Sequence, residues 1–108
     1  MNVKLNFLDS CKQQSAMALV SFKRVGEDHG NLAANIEADE FMVNLAGTMM
    51  KEKLSKARDK GRGGWWDKEQ CSIDSLKHLL KEHVEKGDMI DVLNIAAMIQ
   101  VRTMGDSI

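Results

Sequence analysis

Proline and tyrosine are absent from this sequence, and aromatic residues of all kinds make up only 5% of its 108 positions. The lack of proline removes the residue that breaks helix interiors, so long helices meet no obstacle. Two cysteines, Cys11 and Cys71, are too few for the disulfide framework of a small secreted scaffold. No apolar run approaches the roughly 20 residues needed to span a bilayer. The stretch Met1 to Phe7 likewise lacks the apolar core of a signal peptide. Charge does not lean to one side either. A net charge of −1 gives the whole molecule no electrostatic footprint for nucleic acid or for an anionic membrane. A reducing, cytoplasmic setting without membrane contact is the expectation.

What is there is ordinary globular composition, 44% hydrophobic and 29% charged, and the length suits one domain over residues 1–108. Eight methionines supply adaptable apolar filling for cores or interfaces. The spacing of apolar residues predicts four helices. The first runs from about Leu8 to Val25, with Leu8, Cys11, Ser15, Leu19 and Phe22 on one face. A strand over Ala18 to Val25 is the alternative. "GEDHGN" then reads as a loop broken by Gly26 and Gly30. Asn31 caps a long second helix, about Leu32 to Lys60, whose apolar residues Leu32, Ile36, Val43, Gly47, Met50 and Leu54 form a stripe. Phe41, Met42, Leu45 and Met49 widen it, and so broad a stripe calls for partners on more than one side.

"CSIDSLKHLLKEHVEKGD" gives the third helix, capped by Ser72, with Ile73, Leu76, Leu80 and Val84 inward and Gly87 as its left-handed stop. Asp88 is expected to cap the fourth, about Met89 to Arg102. That segment has almost no polar face, which predicts either the most buried helix or an oligomer interface. The tail "TMGDSI" is expected to fray. The fold class expected is therefore all-α: a small bundle of about four helices built from αα-hairpins, assembling as a homo-oligomer.

Between helices two and three lies "KARDKGRGGWWDKEQCS", residues 56–72. Lys51, Lys53, Lys56, Arg58, Lys60 and Arg62 stand against Glu52 and Asp59, a local +4 that leaves −5 for the rest of the chain. Lys60, Arg62, Gly63, Gly64, Trp65 and Trp66 are the candidate ligand-binding residues. Glycines let backbone N–H groups approach a ligand closely, arginine grips phosphate with two donors, and an indole stacks on a base. The competing reading is structural: a basic last turn suits the helix dipole, Gly61 or Gly63 stops the helix, and the tryptophans plug the bundle end. The spacing is not that of a P-loop, which needs G-x-x-x-x-G-K-[ST] between a strand and a helix.

The stretch "KEKLSKARDKGRGGWWDKEQCSIDSLKHLLKEHVEKGDMIDVLNIAAMI" resembles a module of temperate-phage accessory proteins. Its marks are a K/R-rich helix end, G-R-G-G-W, an E-x-C-S turn, H-V-E-K-G-D and D-V-x-N. The module recurs near the C-terminus of Ead-type early-region proteins of lambdoid phages, and follows some phage nucleotide diphosphohydrolases. The resemblance covers about residues 51–102 and leaves the first 50 aside. It implies a phage accessory role in the host bacterial cytoplasm, and it carries no catalytic domain with it.

Cys71, His78, Glu82 and His83 were weighed as metal ligands, but neither C-x-x-C nor H-E-x-x-H is present, so no metal and no cofactor is assigned. Asp88 and Asp91 are a weaker candidate pair for a cation or a basic partner. No acid/base constellation supports catalysis, and no catalytic residue is assigned. The expected function is non-enzymatic: binding of a small phosphorylated ligand, such as a nucleotide immune signal, or of a host defence protein. The alternative is a nucleic-acid-binding regulator that uses the basic Lys51 to Arg62 helix end.

Overall fold

The computed structural model of the chain describes residues 6–25 and 31–107. Among them the fold is all-α: α1 is Phe7–Val25, α2 Leu32–Asp59, α3 Ile73–Lys86 and α4 Met89–Asp106. The strand alternative for Ala18 to Val25 is overturned, since that segment continues α1. The expected loop breakers Gly26 and Gly30 lie outside the described residues. Two compact units divide the chain, Met1–Gly47 and Thr48–Ile108, with the boundary inside α2.

In the first unit, Asn6 caps α1 by accepting from the backbone N–H of Asp9 at 2.8 Å. Asn31 does the same for α2 through Ala34 at 3.1 Å, as the sequence predicts. The face that α1 buries differs from the expected one. Cys11 is buried, and Ser15, Ala18 and Phe22 are half-buried, whereas Leu8 and Leu19 are exposed. The inward stripe thus runs at positions 11, 15, 18 and 22, the regular three- and four-residue spacing of one helix face. Phe22 meets Phe41 of α2 edge to face at 5.8 Å between ring centres. Such a pair stabilises by about 0.5–1.5 kcal/mol beyond its area burial.

The second unit contains the end of α2, the loop 60–72, α3 and α4. Ser72 caps α3, its hydroxyl oxygen accepting from the N–H of Ser75 at 3.1 Å. The helix turns Leu76 fully inward, with Ile73, Leu80 and His83 half-buried; Val84, expected inside, is exposed. Gly87 is left-handed at φ 78°, and its N–H reaches the carbonyl of Val84 while that of Asp88 reaches His83. These two bonds satisfy the last carbonyls of α3 and turn the chain straight into α4. The result is the expected αα-hairpin.

Two expectations for α4 fail. Asp88 occupies the cap position but makes no side-chain bond to the helix; its carboxylate goes to His83 instead. Nor does the helix end at Arg102. It continues to Asp106, where the backbone N–H and the hydroxyl of Ser107 both bond the carbonyl of Met104. The buried residues of α4 are Asn94, Ile95 and Arg102, two of them polar. Met89, Leu93, Val101 and Met104 are exposed, although the apolar pattern of the segment alone would bury them.

Candidate functional site

The loop 60–72 starts where α2 stops. Gly61 takes a left-handed φ of 78°, its N–H bonding the carbonyl of Arg58, while the N–H of Arg62 bonds that of Ala57. Gly61, and not Gly63, is therefore the helix stop, and Arg62 is the residue that the stop projects beyond it. A second left-handed glycine, Gly64 at φ 79°, opens a turn closed by the Asp67 N–H on its carbonyl at 3.1 Å. A side chain at Gly64 would also meet Gln70 Oε1 at 3.4 Å. Asp67 then organises the remainder of the loop. Its carboxylate accepts from the N–H of Glu69, and its carbonyl accepts from the N–H groups of Gln70 and Cys71. Thirteen residues without regular structure are thus held in defined turns.

Behind the loop stands a residue that the sequence reading passed over. Arg102 of α4 is only 6% exposed. Its Nη1 donates to the carbonyl of Trp65 at 2.7 Å and to that of Cys71 at 2.8 Å. One guanidinium so pins both ends of the 65–71 segment to α4. Its Nε lies 3.8 Å from Asp106 Oδ2, a half-exposed counter-charge one turn on. A buried charge is costly unless it is paired and hydrogen-bonded, and the two carbonyls take up Nη1 while Asp106 stands by Nε. A lone arginine after an otherwise apolar segment is the signal in the sequence, and it reads equally well as a helix end.

With the loop pinned, the two tryptophans separate. Trp65 is partly buried at the point where its carbonyl is held, whereas Trp66 is 68% exposed. The plug reading accounts for Trp65 and leaves Trp66 without a structural task. Lys60, Arg62 and Gly63 are exposed, and Gly64 is half-buried. The loop therefore presents two cations and one indole to solvent over a seven-residue stretch. Upstream, part of the basic helix end is already engaged. Lys53 pairs with Asp91 at 3.3 Å and Lys56 with Glu52 at 3.6 Å. Lys51 and Arg58 are exposed.

The residues weighed for a metal are sorted differently from their order in sequence. His78 faces Glu82 at 3.1 Å in an exposed pair, and Cys71 Sγ lies 3.8 Å from the Ser75 hydroxyl. His83 instead joins Asp88 and Asp91, so the two fragments "HVEKGD" and "MID" form one cluster across the hairpin. Helix periodicity alone could not place them together, because the Gly87 turn changes the direction of the chain between them. No protein-family model, curated protein or solved structure matches this chain.

Proposed function

We propose that the chain is a non-enzymatic phage accessory protein whose 60–72 loop binds a small phosphorylated ligand carrying a planar ring, a nucleotide in chemical terms. Trp66 carries the reading: a large indole held 68% exposed, on a loop fixed from behind, offers most of its surface to a partner. Stacking on a base contributes about 1–3 kcal/mol. Arg62 and Lys60, exposed on the same loop, supply the charge for phosphate. Sequestering a nucleotide immune signal of the host is the role that joins this chemistry to the resemblance in residues 51–102. An exposed tryptophan on the same loop as an exposed arginine, Arg62, is also the composition of an interface anchor, which is how the loop would engage a host defence protein. The exposed apolar residues of α4 support assembly as a homo-oligomer.

Titration of the chain with a panel of linear and cyclic nucleotides, followed by calorimetry and by tryptophan emission, tests the nucleotide reading. Binding is expected to quench emission and to weaken by about 5- to 150-fold in Trp66→Ala, the worth of one stacked base. A panel without heat or quenching overturns it. The nucleic-acid alternative is supported less well, because Lys53 and Lys56 are already paired within the chain. It requires affinity for a single strand that falls steeply with salt as counterions are released.

A further inference from the structure

We propose that the α3–α4 hairpin carries a divalent-metal site made of His83 Nδ1 and one carboxylate oxygen each from Asp88 and Asp91, suited to zinc. The site is separate from the 60–72 loop and stands or falls independently of it. Nδ1 of His83 lies 3.2 Å from Asp88 Oδ2 and 3.6 Å from Asp91 Oδ2, and the three ligand atoms all fall within 4.8 Å of one another. Nitrogen and oxygen ligands placed about 2.0–2.2 Å from a tetrahedral zinc ion are themselves about 3.3–3.6 Å apart. The histidine spacings match that separation. A mixed imidazole and carboxylate set favours zinc over magnesium or calcium, which prefer oxygen alone.

Three further observations point the same way. First, a neutral or charged imidazole carries at most one hydrogen on Nδ1, yet two carboxylate oxygens are turned towards it. A proton serves one of them well; a metal ion serves all three donors. Second, Asp88 stands at the cap of α4 and gives up the cap bond that an aspartate there ordinarily makes. Its carboxylate is committed to the cluster instead. Third, Lys53 Nζ already sits 3.3 Å from Asp91 Oδ2, a cation at the edge of the cluster on a side chain 52% exposed and free to swing away. With Lys53 in place the two carboxylates retain one uncompensated negative charge; a divalent ion replacing the ammonium neutralises both.

The backbone makes the arrangement rigid. His83 offers its carbonyl to the N–H of Asp88 and its ring to the Asp88 carboxylate, so the two residues are tied twice across the left-handed Gly87 turn. Asp91 follows in the first turn of α4.

Zinc titrated by calorimetry into the metal-stripped full chain tests the site, with cobalt as a spectroscopic substitute and native mass spectrometry for stoichiometry. One ion per chain is expected, with a cobalt spectrum free of thiolate charge transfer, since Cys11 and Cys71 take no part. Asp88→Asn and Asp91→Asn are each expected to weaken binding at least about tenfold, the scale of losing support at a metal centre. His78→Gln should leave it unchanged. Lys53→Met provides a readout in the opposite direction: removing the competing ammonium should tighten binding several-fold. No zinc binding, a thiolate signature, or affinity unchanged in both asparagine variants would overturn the site. So would a Lys53→Met chain that binds no more tightly than the parent.

Discussion

Arg102→Met is the change that most directly tests the pinned loop. The two bonds to the carbonyls of Trp65 and Cys71 are charge-assisted, each contributing about 1.5–3 kcal/mol. Their loss removes roughly 3–6 kcal/mol before any offset. Methionine keeps most of the side-chain volume and relieves the cost of desolvating a guanidinium, which together return about 1–3 kcal/mol. The expected net destabilisation centres on about 2–3 kcal/mol, a large share of the roughly 5–15 kcal/mol by which small domains are stable.

The chain is well suited to measuring it. It has no tyrosine, and both tryptophans lie in the loop, so intrinsic emission reports on that loop alone. In a Trp66→Phe background, Trp65 becomes the single emitter. Arg102→Met should then shift Trp65 emission to longer wavelength and raise its quenching by acrylamide before any helix melts. The urea midpoint by circular dichroism should fall as well. Arg102→Lys is expected to lie between, because an ammonium can donate to two carbonyls as Nη1 does but sits on a side chain one atom shorter. If Arg102→Met leaves both the urea midpoint and the quenching of Trp65 unchanged, the guanidinium does not hold the loop, and the account of Trp66 as a presented residue fails with it.

Two further outcomes follow from the backbone and from the polar interior. Gly61→Ala places a side chain at φ 78° and should cost about 1–2 kcal/mol in thermal or urea unfolding, while Gly63→Ala, with open space around it and no left-handed φ, should be neutral within about 0.5 kcal/mol. Equal effects at the two positions would refute the assignment of Gly61 as the helix stop. Asn94→Leu removes a buried acceptor without a donor at the loss of one bond, 3.3 Å long, from Nδ2 to the Met50 carbonyl. Stability unchanged or raised by up to about 1 kcal/mol is expected, and a loss above about 2 kcal/mol would show that Oδ1 is satisfied in solution.

What was legible beforehand was whatever local chemistry decides. The caps at Asn31 and Ser72, the left-handed Gly87 and the extents of α2 and α3 rest on neighbouring residues in sequence, and the sequence carries them. What was not legible depended on competition between distant groups. Asp88 has the composition of a helix cap, yet His83 outbids the backbone for its carboxylate. Leu8 and Leu19 are more apolar than Ala18, yet Ala18 is turned inward beside Cys11, Ser15 and Phe22, since the face is set by angle and not by hydropathy. The loop composition was conspicuous in advance. Its anchor was not, because nothing local links residue 102 to residues 65 and 71.

The same competition explains why α4 is both apolar in sequence and polar at its buried positions. An apolar residue at 94 or 102 would bury as well or better, and the helix has apolar surface to spare: Leu93, Val101 and Met104 are exposed. The buried positions nonetheless carry an amide that reaches the backbone of α2 and a guanidinium that reaches the backbone of the loop. Apolar contacts hold helices together without fixing their register, because they are non-directional. The bonds of Asn94 and Arg102 are directional: one fixes α4 against Met50, and the other fixes the loop against α4. The interior of the second unit thus gives up some apolar burial to set positions. The position it sets most firmly is that of the backbone of Trp65, immediately before the indole turned out to solvent at Trp66. The same two bonds that stabilise the fold therefore also fix where the loop backbone lies, while Lys60, Arg62 and Trp66 stay exposed.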